Sequence, residues 1–180
     1  MVIEIVPYAE RHREGVIALI LPIQQTEFGI PVKLGEQPDL LDIPAFYRKG
    51  NGNFWVALAG AEAVVGTIGL LDIGNREGAL RKMFVAAPFR GAAPGVGRRL
   101  LITLLHWCGI HGFSNVYLGT TDKFIAAHRF YEKNGFGPIA KGELPPAFPL
   151  MPVDTRFYRM VLASASAHGT AQRRAREEAR

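Results

Sequence analysis

The segment from Met83 to Leu101 constrains the fold more than any other, because it obliges an apolar strand to give way to a helix across a bare glycine loop. Val85 closes an apolar run, Pro88 stops it, and Gly91, Gly95 and Gly97 leave the backbone uncovered before an amphipathic helix begins at Val96 or Gly97. The helix carries Leu100, Leu101, Leu104, Leu105 and Cys108 on one face, so it packs on a sheet. Its first N–H groups have no intrahelical partner, and glycines beside them let an anion come within reach of the backbone.

Charge sharpens that reading. No acidic residue falls between Glu77 and Asp122, whereas Arg81, Lys82, Arg90, Arg98 and Arg99 do, and these five equal the whole formal net charge of +5. The basicity is therefore local, and a one-signed field around bare N–H groups suits a polyanion.

The remaining elements follow from hydrophobic period. Val2 to Val6 reads as a strand ended by Pro7, and Glu10 to Leu21 as a helix broken by Pro22. A polar and aromatic connection, residues 24–29, leads to a short second helix over Asp39 to Tyr47, and Gly50-Asn51-Gly52 is a turn. The runs Asn53 to Ala59, Ala63 to Leu71 and Ala79 to Val85 read as three antiparallel strands. After the glycine loop and its helix come a short strand at Val116 to Gly119 and a helix from Thr120 to Asn134, with Thr121 or Asp122 as its cap and Gly135 as its stop. Strands at Gly137 to Ala140 and Thr155 to Leu162 flank a stiff loop with four prolines. The order is β-α-α-β-β-β-α-β-α-β-β, an α/β (α+β) chain in one domain over 1–162, with a mobile polar tail at 163–180 that lacks any large apolar residue beyond Leu162.

Composition excludes several classes. The longest apolar run is too short for the roughly 20 residues of a membrane helix, and the N-terminus has no basic leader with an apolar block behind it. One cysteine, Cys108, excludes an internal disulfide, and a reducing cytoplasm is the expected location. The five histidines form no metal-ligand spacing, so no metal is expected, and they read as surface or helix-face residues. The basic cluster is not interleaved with aromatic residues, which argues against nucleic acid.

Two blocks resemble the GNAT family of acetyl-CoA-dependent N-acetyltransferases: Phe84-Val85 through Arg90-Gly91 to Gly95-Val96-Gly97-Arg98-Arg99-Leu100-Leu101, and Ala127-His128-Arg129-Phe130-Tyr131-Glu132-Lys133-Asn134-Gly135-Phe136. The resemblance, which covers Val2 to Leu162, implies a GNAT fold whose mixed central sheet splays between the fourth and fifth strands. It implies that Met83, Phe84 and Val85 face the pantetheine arm of acetyl-CoA, that Arg90, Gly91, Gly95, Val96, Gly97 and Arg98 cradle its phosphates, and that Tyr131 lies near the thioester sulfur and protonates the departing thiolate. Without the resemblance Tyr131 reads as a core tyrosine on a helix face.

Three departures from the family pattern stand out. Gly95 lies five residues after Arg90, which makes the loop two residues longer than usual. Phe124 stands where many relatives have asparagine, and the strand before the loop, Ala79-Leu80-Arg81-Lys82-Met83, holds no glutamate. A base is still needed, since an amine with a pKa of roughly 10 must lose a proton before it attacks. Glu27 is the first candidate for that role and Asp72 the second. The expected activity is direct acetyl transfer from acetyl-CoA to a small-molecule or protein amine by a monomer or homodimer; the alternative is a catalytically silent CoA-binding regulatory module.

Overall fold

The computed structural model describes residues 2–163 apart from Ala61, Ala92 and Pro94, and the tail lies outside the described residues from Ser164 on. Seven strands form one sheet: β1 (Ile3–Pro7), β2 (Asn53–Ala59), β3 (Ala63–Asp72), β4 (Glu77–Val85), β5 (Asn115–Thr120), β6 (Gly137–Ile139) and β7 (Arg156–Val161). Their order across the sheet is β1-β2-β3-β4-β5-β7-β6. All neighbours are antiparallel except β4 and β5. That parallel pair meets only from Glu77 to Ala79 against Asn115 to Tyr117. Beyond it β5 continues alongside β7 to Thr120 while β4 continues alongside β3 to Val85, so the sheet opens down its middle.

Helices cover both faces. Alternation along β2 sends Phe54, Val56 and Leu58 to one core with Val16, Ile20, Leu40, Ile43 and Tyr47, and Trp55, Ala57 and Ala59 to the other with Leu100, Leu101, Leu104 and Cys108. The first core belongs to α1 (Arg13–Pro22), α2 (Pro38–Leu41) and α3 (Ile43–Tyr47), the second to α4 (Val96–Ile110) and α5 (Ile125–Lys133). Gly66 lets α4 lie close to the sheet, for a Cβ there would stand 2.9 Å from Leu100 and 3.0 Å from Val96. Among the described residues no helix is long and apolar enough to cross a membrane.

Four local expectations are corrected. Pro22 does not break the helical path: α1 ends there but runs on as a π turn, Ile23–Glu27, closed by the Phe28 N–H donating to the Ile23 carbonyl at 3.2 Å. Gln24, in this wider turn, is buried. The helix expected over Asp39 to Tyr47 is two short ones, split because the Asp42 carboxylate accepts the Ala45 N–H at 3.0 Å and so starts α3 afresh. The helix α5 begins at Ile125, with no side-chain cap on its first turn, because Thr121 and Asp122 are engaged with each other and the Thr121 carbonyl holds His128 Nε2 at 2.9 Å. His12 and His128 are buried, not surface residues.

Candidate active site

The opening between β4 and β5 is the floor of a cleft of about 1100 Å³. Met83, Phe84, Val85, Arg90, Gly91, Gly95, Gly97, Arg98 and Tyr131, all expected site residues, line it. Val96 does not line it, since its side chain is fully buried in the core beneath α4.

One end of the cleft is made of backbone. Gly95 caps α4 in the left-handed region, φ 68°, with no side-chain cap. The first intrahelical bond runs from the Arg99 N–H to the Gly95 carbonyl, 3.0 Å, and among the described residues the N–H groups of Val96, Gly97 and Arg98 have no backbone partner. Gly97 leaves this start uncovered, with Met83 and Phe130 the nearest side chains to the place a Cβ would take, at 3.6 Å each. These features fit a pyrophosphate, and the cleft continues beside Met83, Phe84 and Val85 of β4, which are in its lining.

The basic cluster is not one field. Arg99 donates to the Ile3 carbonyl at 2.9 Å, on the side facing β1. The Arg90 Nε donates to the Val85 carbonyl at 2.7 Å, and both of its terminal nitrogens bond the Glu27 carboxylate, one of them at 2.8 Å. Of the five, only Arg98 is left to the helix start. Lys123, Arg129 and Lys133 join it along the cleft wall, cations on or just before α5 that chain distance concealed. Phe124, in the place of the family's asparagine, packs edge-on against Phe28 with centroids 4.4 Å apart and against Phe84 at 6.3 Å, so three aromatic rings close one side.

The other end is made of side chains. In β4 the pairing steps from Gly69↔Arg81 to Thr67↔Phe84, which sets Lys82 and Met83 together against Ile68. Lys82 takes up the extra residue at φ 49°, and Thr67 Oγ1 holds its carbonyl at 2.7 Å. A regular strand would turn Arg81 and Lys82 to opposite faces; this bulge turns both toward Asp39, at 3.9 and 3.4 Å from its Oδ2. Asp39 is only 3% exposed and also accepts the Tyr47 hydroxyl at 2.8 Å. Lys82 Nζ donates to Gln37 Oε1 at 2.5 Å, and Gln37 and Gln24 exchange amide hydrogen bonds at 3.0 and 3.2 Å. Burial drives the Lys82 pKa below its ordinary value, against the pull of Asp39, and burial, with Asp39 next, drives the Tyr47 phenol well up.

Tyr131 lies between the two ends. It is 6% exposed, its hydroxyl has no hydrogen-bond partner among the described residues, and burial, then the charge of Asp154, raises its pKa. It is therefore a fully protonated phenol facing the cleft, able to donate. Cys108 is buried elsewhere, beneath α4, and burial pushes its thiol up to about 12, so it supplies no thiolate.

Neither carboxylate considered as a base is free for that work. Glu27 does not line the cleft, and its hydrogen bonds from Arg90 hold its pKa below the usual value, which makes it a weaker base. Asp72 accepts the Asn51 and Gly74 N–H groups, each at 2.9 Å, and serves two turns. The carboxylate that does line the cleft is Asp154, from the proline-rich loop. The signal that could have found it is Gly119, a glycine inside a strand, which is a mark of close approach.

Comparison with known proteins accords with this geometry. The model of the acetyltransferase (GNAT) family matches residues 18–136. The chain is 41% identical to an acetyltransferase of the GNAT family from Staphylococcus aureus Mu50, with a TM-score of 0.86 over 90% of this chain and 100% of that one. It shares its fold, at 16% identity and a TM-score of 0.69, with the PaiA N-acetyltransferase of Thermoplasma acidophilum, which was solved in complex with coenzyme A and is covered in full by 90% of this chain. It is also 32% identical over 129 residues to N-acetylaspartate synthetase of Danio rerio, a match that takes in 68% of this chain and 44% of that protein. The chain thus spans less than half the length of the curated relatives it matches. With the family model covering most of the chain and the opened sheet, helix start and tyrosine in place, the chain belongs to the GNAT acetyltransferase family.

Proposed function

We propose that the chain transfers an acetyl group from acetyl-CoA to the primary amine of a small acceptor that also carries a carboxylate. The observation that carries this reading is the bulge at Lys82, which turns two consecutive cations into the inner end of the cleft. Asp39 neutralises only part of their charge. Arg81 has one side-chain hydrogen bond, to the Met151 sulfur at 3.2 Å, and Asp39 stands 3.9 Å away, so most of its five donors remain for a ligand. A guanidinium with open donors in a cleft holds a carboxylate by two parallel bonds. The N-acetylaspartate synthetases among the relatives carry an amino acid in their name, which agrees with this choice of acceptor.

The residues divide the work along β4. The start of α4, with Arg98, receives the phosphates, and Met83 to Val85 run beside the pantetheine arm. Acetyl-CoA supplies an activated acyl group. The negative charge that grows on the carbonyl oxygen is assigned in this reading to a backbone N–H of β4 beside the bulge, where the ladder is interrupted. Tyr131 gives its proton to the sulfur as the C–S bond breaks, and recovers one from the nitrogen that has formed the new N–C bond. Arg90 and Glu27 serve the cleft by tying the π turn to the end of β4.

The test is free-thiol release from acetyl-CoA with glycine, L-alanine, L-aspartate and L-glutamate, each beside the amine that lacks its α-carboxylate. Removing the carboxylate should raise KM at least about tenfold, the worth of one charge-assisted hydrogen bond. Equal turnover of both sets would remove the carboxylate from the reading. Absence of thiol release with every amine, together with a melting temperature raised by acetyl-CoA, would instead identify a silent CoA-binding module.

A further inference from the structure

We propose that Asp154 is the proton acceptor of the reaction, taking a proton from the acceptor's ammonium group. The inference rests on acetyl transfer to an amine as the reaction, and it names a residue on the loop between β6 and β7 that replaces the carboxylate missing from β4.

Three observations converge on Asp154. It lines the same cleft as Tyr131 and Arg81, and half-burial keeps it within reach of a ligand there. It is set into β5 where that strand has parted from β4. A Cβ on Gly119 would stand 2.4 Å from Asp154 Oδ2, so the glycine is a notch that admits the carboxylate to the opening. Its hydrogen-bond partner is the Met151 N–H at 3.4 Å, a weak contact that leaves lone pairs for a ligand.

The surroundings suit a base. The charged and titratable groups that face it are Tyr131 from α5 and Arg81 and Lys82 from β4. Burial raises the carboxyl pKa, while the Met151 N–H and the two cations lower it, and the balance is upward. A carboxylate with a raised pKa is a stronger base than a surface aspartate. Asp154 takes one proton from the ammonium. The freed lone pair forms the N–C bond, the C–S electron pair leaves on sulfur, and Tyr131 handles the proton that sulfur gains. The proton on Asp154 passes to water once the product has left, which restores the carboxylate. In this proposal an amino-acid acceptor would set its carboxylate on Arg81 and its ammonium on Asp154, both of which line the cleft.

The experiment compares wild type, Asp154→Asn and Gly119→Ala by thiol release from acetyl-CoA across pH 6 to 10, with the amine that the wild type turns over fastest. Thermal melts with and without acetyl-CoA report the fold and the cofactor site independently of turnover. Asp154→Asn should keep its acetyl-CoA stabilisation and lose about 10²-fold or more in kcat at neutral pH. Its rate should then rise about tenfold per pH unit toward the amine's own pKa, closing much of the gap, because free base replaces the lost proton acceptor. Gly119→Ala displaces the carboxylate without removing it and should show a smaller loss with the same alkaline recovery. It carries the test alone if Asp154→Asn does not fold. A KM increase with kcat unchanged, or a rate lowered equally at every pH, would overturn the proposal. Failure of the wild type to release thiol with any amine, or to be stabilised by acetyl-CoA, would fell the acetyl-transfer reading itself.

Discussion

The two ends of the cleft hold charge by different means. At the α4 start the partners for an anion are backbone N–H groups, exposed by Gly95 and Gly97 and assembled within a few residues of chain. At the inner end they are side chains, Arg81 and Lys82 from β4, Asp39 from α2 and Asp154 from the loop before β7, brought together only by the order of strands and helices. A backbone site costs the fold little, because the same N–H groups start the helix whether or not a ligand is bound. A buried side-chain site must be balanced internally, since each unpaired charge would be costly in the core. The α4 end should therefore respond to mutation through binding, and the inner end through stability.

Asp39→Asn gives the largest expected effect and the most direct way to break that contrast. It leaves Lys82 and Arg81 facing an amide and removes the carboxylate that Tyr47 bonds. Losing one member of a buried ion pair costs about 3 to 5 kcal/mol, which in a chain of this size is a fall of roughly 10 °C in melting temperature. A loss below about 1 kcal/mol would mean that the inner end is not held by this network, and the contrast would collapse. The same network predicts a pH effect. Lys82, with its pKa lowered in the folded state, binds fewer protons there than in the unfolded chain between that value and 10.5. Stability should therefore rise with pH through that window, and should do so less in Lys82→Met, as followed by thermal melts.

The same division decides what could be read before the structure. The helix start was legible because glycines, a proline and an apolar period are neighbours in the chain. The seven strands and the order of elements were legible too, since each is carried by local period and turn residues. The inner end was not. Arg81 and Lys82 are adjacent in sequence, and strict alternation would have separated them; only the left-handed backbone at Lys82 brings both to one side. In the sequence Asp39 opens an ordinary short helix, and Asp154 follows a loop whose prolines are its one salient feature. Glu27 stands in the connection expected to line the acceptor side, but the charge that claims it, Arg90, lies 63 residues away.

Gly97→Ala should show the opposite signature from Asp39→Asn. Gly97 sits in the first turn of α4, and the place of its Cβ meets Met83 and Phe130 only at ordinary contact distance. Replacing a helical glycine with alanine stabilises by roughly 0.5 to 1 kcal/mol when nothing is displaced. The methyl also stands over the bare N–H groups, so acetyl-CoA affinity should fall about tenfold, measurable by calorimetry, while the melting temperature of the free protein rises by about 2 °C. A variant that binds acetyl-CoA as well as wild type would sharpen the contrast differently, by moving the phosphates away from this turn and toward Arg129 and Lys133.

Glu27→Gln marks the small end of the scale and bears on why Arg90 is in the loop at all. The pair lies at the surface, with both side chains 37% exposed, so its contribution after solvent screening is about 0 to 1 kcal/mol. The Glu27 pKa is lowered in the folded state, chiefly by hydrogen bonds from Arg90. The contribution is therefore present above the ordinary value of 4.5 and lost as pH falls through the folded one. At pH 7 the variant should melt within about 3 °C of wild type, and the difference should vanish on acidification. Its acetylation rate should stay within about threefold, because the carboxylate stands outside the cleft lining. A collapse of turnover with an unchanged melt would restore Glu27 as a participant in proton transfer. A gain in acetyl-CoA affinity would have another meaning: Arg90, released from Glu27, turns to the phosphates, and the pair in the free protein holds in reserve one more cation for the site that Arg98 already serves.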